Sequence, residues 1–238
     1  AAQIAPSSEI AIVLVAAGKG LRAGGPVPKQ YAPLVGRPLL AHTIEALSVL
    51  HAPIQPVIGD GDAALFAAVL EALPASARAL CRAPVLGGDT RQASVLKGLE
   101  ALADTPPKIV LIHDGARCHP SPDLLARAVE AARAHGAAIP GLAVSDTIKQ
   151  LDASGFVAQT PDRASLRAVQ TPQSFTYSLI LRAHQNAAKE KIQNLTDDGA
   201  VAEWAGHKVH MFAGDPKNLK VTEANDFATM ERLMSADL

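Results

Sequence analysis

The sequence predicts an α/β protein with an open, mostly parallel sheet, helices on both faces and a projecting β-arm. Two observations predict this fold. Short apolar runs rich in branched side chains, the pattern of buried parallel strands, recur along the chain. Segments with apolar residues at three- and four-residue spacing lie between them, and this alternation of strand and helix favours a sheet covered on both sides.

The predicted elements follow in order. The strands are placed at residues 10–15, 54–58, 80–86, 109–113 and 137–144, with helices between them at residues 38–50, 62–73, 91–102 and 122–135. Proline near two of the helix starts fits a first turn, where a missing N–H costs little. Helices at 177–191, 196–205 and 222–234 and a strand at 207–212 complete the pattern.

The alternation breaks at residues 145–173, which are polar and contain Gly155, Pro161 and Pro172. This segment shows no helical period, so we expect a hairpin-like arm. A long excursion of this kind in a compact domain is usually functional or forms an interface. We therefore predict one domain over residues 1–238, with residues 145–173 as its protruding arm.

The composition argues against several classes of protein. The chain has 238 residues and a formal net charge of -1, so a broad positive surface for nucleic acid or anionic membrane is not expected. It contains 2 cysteines, which make no disulfide framework, and no apolar run approaches the roughly 20 residues that span a bilayer. A cytoplasmic protein is the expectation.

A glycine-rich segment, AAGKGLRAGGPVPKQY at residues 16–31, follows the first strand directly. Backbone N–H groups in such a turn can approach phosphate closely. The letters from Gly18 to Ala23 match the dinucleotide fingerprint G-x-G-x-x-A, but Pro26 and Pro28 prevent the helix that must follow it. The acidic residue expected about 20 positions later is also missing, and no Gly-Lys-Ser/Thr ends the turn, so the Rossmann fingerprint and the Walker A loop are both rejected.

Two further segments are predicted to meet this loop, because ligands of a doubly wound sheet bind beyond the carboxyl ends of its strands. One is GGDTRQAS at residues 87–94, a glycine turn before a helix. The other is HDGAR at residues 113–117, which places Asp114 and Arg117 at the end of a strand. Three loops would then form one crevice.

These segments, together with DTIKQ, DRASLRAVQTPQSF, NLTDDGAVAEWAG and NLKVTEANDF, resemble the 2-C-methyl-D-erythritol 4-phosphate cytidylyltransferases of the non-mevalonate isoprenoid pathway. The resemblance extends over essentially the whole chain, in the family's order and spacing. It implies a Rossmann-like fold of the nucleotide-diphospho-sugar transferase type. It also implies transfer of CMP from CTP to 2-C-methyl-D-erythritol 4-phosphate with Mg²⁺ or another divalent cation, in a homodimer whose arms are exchanged.

The resemblance assigns residues to each role. It implies that the cations holding the triphosphate and the transition state are Arg22, Lys29 and Lys220. The implied nucleotide-binding residues are Ala16, Ala17, Gly18, Gly88, Asp89 and Ser94. The implied substrate-binding residues are Asp114, Arg117, Thr147, Arg163, Thr171 and Thr196, with Asp114 also near the metal.

Several alternatives remain open at this point. Asp89 could be only a helix N-cap, and His113 is interpreted as a strand-end residue with a satisfied ring. A related ribitol-5-phosphate cytidylyltransferase would share the loops but differ in its alditol pocket. A nucleotide-binding regulatory module without turnover would bind CTP and release no pyrophosphate. The sequence also leaves open whether the chain is complete or one half of a bifunctional fusion with a cyclodiphosphate synthase.

Overall fold

The computed structural model describes residues 9–18 and 27–236, and the structural statements below concern these residues. In chain order the elements are β1 (Ile10–Ala16), β2 (Pro33–Leu34), β3 (Arg37–Pro38), α1 (Leu39–Leu47), β4 (Ile54–Ile58), α2 (Ala63–Glu71), α3 (Ala75–Arg78), β5 (Val85–Leu86), α4 (Arg91–Glu100), β6 (Ile109–Asp114), α5 (Pro122–His135), β7 (Ala137–Ala143), β8 (Gln150–Leu151), β9 (Val157–Gln159), β10 (Arg167–Val169), β11 (Gln173–Thr176), α6 (Tyr177–Lys189), α7 (Asp198–Trp204), β12 (His210–Ala213) and α8 (Ala224–Ala236).

Strand β1 lies at the centre of the main sheet, with β4 on one side and β6 on the other, and both pairs are parallel. Its side chains alternate between two cores. Ile12 and Leu14 pack into the cluster that includes α1, α2 and α5 side chains. Val13 packs into the cluster on the opposite face, which includes side chains of α4, α6 and α7. The predicted sheet with helices on both faces is confirmed.

An antiparallel strand that the sequence did not predict lies between β6 and β7. Strand β11 pairs antiparallel with both of them, so β6 and β7 run in the same direction without touching. Strand β10 pairs with β7 on the edge that β11 also occupies. Strand β12 runs parallel to β7 along the opposite edge. The segment QSFT of β11 was missed because it is short and mixes polar with apolar residues, although Phe175 is fully buried.

The arm is shorter than predicted. Strands β8 and β9 form a small separate hairpin whose residues are exposed. Strand β10 has already returned to the main sheet, and Gln170 and Thr171 are buried. The last residues of the predicted arm at 145–173 therefore belong to the core, because they supply backbone hydrogen bonds to β7.

Predicted and observed element boundaries agree best where capping residues mark the ends of a helix. Helix α5 begins at Pro122 as predicted, after Ser121, whose side chain accepts a hydrogen bond from the Leu124 N–H, and Gly136 ends it at a φ of 76°. The strand predicted at 80–86 is wrong for most of its length. Only β5 forms there, after an isolated bridge at Cys81, because Pro84 has no N–H to offer a neighbouring strand.

A third, smaller core packs the C-terminal helix against the β2–β3 hairpin. It contains Leu34 and Leu39 from the hairpin side, and Val221 and Met230 from the segment that includes α8. This packing fixes the chain on either side of Lys220. Among the residues that the structure describes, no helix has the length and apolar character required to cross a bilayer.

Candidate active site

The first predicted loop begins at the carboxyl end of β1 and is held by a buried glutamine. The Gln30 side-chain amide donates hydrogen bonds to the carbonyl oxygens of Ala16 and Gly18, both at 2.8 Å. Gln30 is the next-to-last residue of the segment at 16–31, so its amide ties the end of this segment back to its beginning. Arg22 lies outside the described residues, and its predicted role stays a prediction.

The second predicted loop lies directly against the first. A Cβ on Gly87 would come within 2.3 Å of the Ala17 Cβ and 2.7 Å of the Ser94 Oγ. The missing side chain of Gly87 therefore lets the two loops meet. The Ser94 hydroxyl accepts a hydrogen bond from the Gly88 N–H at 3.1 Å, which fixes the turn before α4. The structure thus brings together Ala17, Gly88 and Ser94, three of the predicted nucleotide-binding residues.

Asp89 is not the cap of α4. Thr90 takes that position, since its hydroxyl accepts a hydrogen bond from the Ala93 N–H at 3.0 Å. The alternative interpretation of Asp89 as a helix N-cap is therefore wrong, and Asp89 remains a candidate for contact with a ligand.

Asp114 ends β6 and is the centre of a charged network. Its Oδ1 accepts a hydrogen bond from Arg91 Nε at 3.1 Å, and its Oδ2 accepts one from Lys220 Nζ at 2.8 Å. Burial disfavours the charged carboxylate, but Arg91, Lys220 and Arg117 together hold the pKa of Asp114 well below its usual range. The side chain is therefore an anion in a positively charged environment.

A hydrogen-bonded relay fixes the backbone at the same strand end. His113 donates from Nε2 to the Arg117 carbonyl oxygen at 2.9 Å, so its Nδ1 accepts from the Thr171 hydroxyl at 3.0 Å. The Thr171 oxygen in turn accepts from the Asp114 N–H at 3.0 Å. Burial lowers the pKa of His113 to about 4 and keeps the ring neutral. The interpretation of His113 as a satisfied strand-end residue is confirmed.

Thr171 also has a structural role that the sequence did not predict. Its hydroxyl is buried and already bonded to His113 and Asp114. These two bonds position Asp114, and the predicted contact of Thr171 with substrate stays a prediction.

The segment before α8 brings Lys220 to Asp114. The buried Arg117 guanidinium donates to the Asn218 carbonyl oxygen at 2.8 Å, and the Asn218 amide donates to the Thr171 carbonyl oxygen at 2.7 Å. The Val221 N–H bonds the Ala116 carbonyl oxygen at 2.9 Å. Lys220 lies between these anchors, so two segments far apart in the chain meet at one carboxylate.

Lys29 lies in a short 3-10 turn at Lys29–Tyr31, and its charge acts on the start of α8. Hydrogen bonds from Thr222 lower the pKa of Asp226, and the charge of Lys29 makes a smaller contribution to the same shift. Lys29 therefore lies within electrostatic range of the start of α8, the helix that follows Lys220 in the chain.

The remaining predicted substrate residues are exposed. Thr147 and Arg163 lie exposed on the arm, and Thr196 lies in the loop before α7. The Arg163 guanidinium donates a hydrogen bond to the Ser145 carbonyl oxygen, across the base of the arm. Within one chain Thr147 and Arg163 are held far less firmly than Asp114.

Sequence reasoning missed the residues that support the site, namely Arg91, Asp198, His184 and Gln30. Arg91 and Asp198 stand inside the quoted motifs GGDTRQAS and NLTDDG, but a motif does not say which side chains form ion pairs. Arg91 Nη2 donates to Asp198 Oδ2 at 2.9 Å, and His184 Nε2 lies 3.0 Å from Asp198 Oδ1. The ion pair between Arg91 and the buried Asp198 is a property of the folded chain.

Comparison with known proteins identifies relatives of the whole chain. The sequence model described as "IspD: 2-C-methyl-D-erythritol 4-phosphate cytidylyltransferase" matches residues 10–236. A "Bifunctional enzyme IspD/IspF" of Rhodopseudomonas palustris (strain TIE-1) is 51% identical over 233 residues, which are 97% of this chain and 57% of that protein. The chain therefore spans little more than half the length of this curated relative.

Solved structures agree with the sequence comparison. The 4-diphosphocytidyl-2C-methyl-D-erythritol synthase of Anaerococcus prevotii is similar with a TM-score of 0.81 and 29% identity, over 95% of this chain and 98% of that chain. The 2-C-methyl-D-erythritol 4-phosphate cytidylyltransferase of Thermus thermophilus gives a TM-score of 0.75 and 31% identity, over 94% of this chain and 98% of that chain. The similarity includes the sheet and its helices on both faces.

Proposed function

Because the chain belongs to the 2-C-methyl-D-erythritol 4-phosphate cytidylyltransferase family, we propose that it transfers CMP from CTP to 2-C-methyl-D-erythritol 4-phosphate. The products are 4-diphosphocytidyl-2-C-methyl-D-erythritol and pyrophosphate, and the reaction serves isoprenoid precursor synthesis. The observation that carries the proposal is the convergence of Asp114, Lys220 and Arg91 beside two interlocked glycine turns. The turns suit a nucleotide, and the charged groups suit a phosphate-transfer reaction.

The reaction requires the protein to supply positive charge and to position the two substrates. A phosphate oxygen of the alditol phosphate attacks the α-phosphorus of CTP, and the bond from the α-phosphorus to the bridging oxygen breaks as pyrophosphate leaves. The attacking phosphate has its second pKa near 6, so it is already ionised near neutral pH and needs no general base. Fixed cations then stabilise the negative charge of the transition state. Lys220 and Lys29 supply that charge in the described residues, and Arg22 is proposed to add to it.

Mg²⁺ is proposed to assist, and the donor set fits this ion in a limited way. No group of three or more His, Cys, Asp or Glu side chains that could hold a metal occurs among residues 9–18 and 27–236. Mg²⁺ usually takes one or two carboxylates and completes its shell with water and substrate phosphates. Asp114 is the carboxylate that would help to hold it, and bound Mg²⁺ would neutralise charge on the phosphates.

The arm supports a homodimer in which each chain completes the site of the other. Its hairpin exposes apolar side chains, with Phe156 73% exposed and Leu151 and Val157 each 57% exposed. Isolated exposed apolar residues are ordinary, but three on one small hairpin mark an interaction surface. Arg163 lies on the same arm, so docking of the arm on a partner could deliver this cation to the partner's alditol phosphate.

The cytoplasmic location expected from the sequence also remains a proposal. Cys81 and Cys118 are both free thiols, and burial raises the pKa of Cys118 to about 12. Unpaired cysteines are consistent with a reducing compartment.

A pyrophosphate-release assay tests the function. The protein is incubated with Mg²⁺, each of the four nucleoside triphosphates, and either 2-C-methyl-D-erythritol 4-phosphate or ribitol 5-phosphate. We expect release only with CTP and the methylerythritol phosphate. Preference for ribitol 5-phosphate would assign the related alditol enzyme, and CTP binding without release would assign a regulatory module.

A further inference from the structure

We propose that Arg91 is a positioning residue that holds Asp114 and the loop before α7 in one fixed relation, and thereby sets the geometry of the alditol-phosphate half of the site. The inference rests on the function proposed above. It concerns a residue that the sequence motifs contain but to which they assign no role.

The first argument is the way in which Arg91 divides its donors. Nε bonds Asp114 Oδ1 at 3.1 Å, while Nη2 bonds Asp198 Oδ2 at 2.9 Å. The guanidinium is planar and rigid, so two donors on one fork fix the separation and the relative orientation of the two carboxylates. Asp114 cannot turn without disturbing Asp198.

The second argument is that Asp198 is itself immobilised. It is fully buried as the first residue of α7, and its second oxygen lies 3.0 Å from His184 Nε2 on α6. Among the described residues, the other ring nitrogen of His184 has no hydrogen-bond partner, so Asp198 is the polar anchor of this ring. Arg91 therefore connects Asp114 to a rigid point and not to a mobile surface group.

The third argument is a second bond from the next residue of the same helix. The Gln92 side-chain amide donates to the Ile192 carbonyl oxygen at 2.8 Å. The first turn of α4 thus holds residues 192–198 at both ends, through Ile192 and Asp198. Thr196, which is predicted to bind the alditol phosphate, lies between these two anchors.

The nucleotide half has anchors of its own. Ser94 holds Gly88, Thr90 caps α4, and Gln30 holds Gly18, and none of these bonds involves the Arg91 side chain. Loss of the Arg91 side chain should therefore disturb Asp114 and Thr196 while the CTP site keeps its shape. The positioning role predicts an effect on the alditol phosphate that is separate from CTP.

The test uses Arg91→Met and the double variant Arg91→Met/Asp198→Asn. The single variant leaves Asp198 buried without its arginine, so it should lower Tm. The Asp198→Asn change removes that uncompensated charge and keeps an oxygen that can accept the hydrogen bond from His184, so the double variant should recover Tm. We expect the KM for the alditol phosphate to rise about 10- to 100-fold in both variants, while the Kd for CTP, measured without Mg²⁺ so that Asp114 does not act through the metal, changes less than about threefold.

Arg82→Met is the matched control. Arg82 is another multidentate arginine, bonded to Gln55, Asp104 and Thr105, and none of these residues belongs to the site. This variant should lower Tm and leave the KM for the alditol phosphate unchanged.

Three results would overturn the positioning role: recovery of both Tm and KM in the double variant, an equal loss of CTP affinity, or the same rise in KM in Arg82→Met. Failure of the proposed function has a different signature, because the wild-type protein would then release no pyrophosphate with either alditol phosphate. That result would remove both proposals.

Discussion

The end of β6 and the projecting arm both carry predicted substrate residues, but the chain holds them in opposite ways. At β6, Asp114 is buried, and its carboxylate and its backbone N–H are all bonded to other elements. On the arm, Arg163 and Thr147 are exposed, and the hairpin packs no buried side chain. The part of the proposed site at β6 is therefore preorganised within one chain, whereas the arm residues are exposed and are proposed to be fixed by docking on a partner.

The largest expected effect tests the preorganised half. Lys220→Ala should lower kcat about 100- to 1000-fold, because loss of one fixed transition-state charge contact costs about 3 to 4 kcal/mol. Asp114 keeps Arg91, so the variant should fold. Lys29→Ala should behave in the same way, with little change in the Kd for CTP. Steady-state kinetics and a binding titration measure both quantities.

Lys108→Ala is the control for the two lysine variants. Lys108 lies just before the first residue of β6, at the end of this strand opposite to Asp114. It should leave kcat unchanged. Near wild-type turnover in Lys220→Ala or Lys29→Ala would remove that lysine from the proposed mechanism.

The acid stability of the buried half follows from His113. Its pKa is lowered from 6.5 to about 4 in the folded chain, so the unfolded chain binds the additional proton between these values. Stability should therefore fall as pH falls from 6.5 to 4, by up to about 3 kcal/mol from this group. Urea unfolding across this range measures it, and the slope should be smaller in His113→Gln.

An equal slope in the wild type and His113→Gln would contradict this prediction. The aspartates with lowered pKa values, Asp114, Asp198 and Asp226, contribute in a separate window, because their stabilisation is lost as pH falls below 3.8.

The arm should act on substrate and not on the fold. Arg163→Ala should raise the KM for the alditol phosphate about tenfold or more, since hydrogen bonds to charged groups contribute about 1.5 to 3 kcal/mol. Mixed with Lys29→Ala, it should regain activity if one protomer's arm serves its partner's site. Verified heterodimers without any rescue would show that each chain uses its own arm.

One substitution made in both regions sharpens the comparison. Thr171→Val removes the hydroxyl that joins Asp114 to His113 and leaves buried groups unpaired, so it should cost about 1 to 3 kcal/mol of unfolding free energy. Thr160→Val removes a bond from the exposed Lys149 and should cost less than about 0.5 kcal/mol. Chemical denaturation measures both, and equal costs would mean that the two regions are held alike.

The smallest effect on stability is expected at Phe156. Because this side chain is 73% exposed, Phe156→Ser should change the unfolding free energy by less than about 0.5 kcal/mol. It should nevertheless weaken self-association, measured by analytical ultracentrifugation. A dimer of unchanged affinity would exclude the apolar face of the arm as the interface.

Much of the fold could be predicted because its signals are local. The boundaries of α5 follow from Pro122 and Gly136, and the buried strand β4 follows from a short, mostly apolar run. Strand β11 could not be found in this way, because its polar residues are buried by partners distant in the chain. The Ser174 hydroxyl, for example, donates to the Ala128 carbonyl oxygen on α5 at 2.8 Å.

The candidate site likewise has residues that the sequence predicted and residues whose role it did not predict. Sequence motifs named Asp114, Lys220 and Ser94 as site residues, since each stands in a recognisable segment at the end of a strand or near the start of a helix. They also named Thr171 as a substrate contact, but they did not predict that its hydroxyl bonds His113 and Asp114 within the protein. They gave no role to Arg91, whose importance appears only when both of its carboxylate partners are seen.

The sequence alone determined the alternation of strands and helices, the glycine turns and the identity of the charged residues, because these depend on composition and short-range spacing. Only the tertiary structure decided which charges meet. Residues 91, 114, 198 and 220 lie far apart in the chain, and their ion pairs form because the fold brings the start of α4, the end of β6, the start of α7 and the segment before α8 together. Burial of the two carboxylates, Asp114 and Asp198, strengthens these contacts, and no short-range pattern encodes that burial.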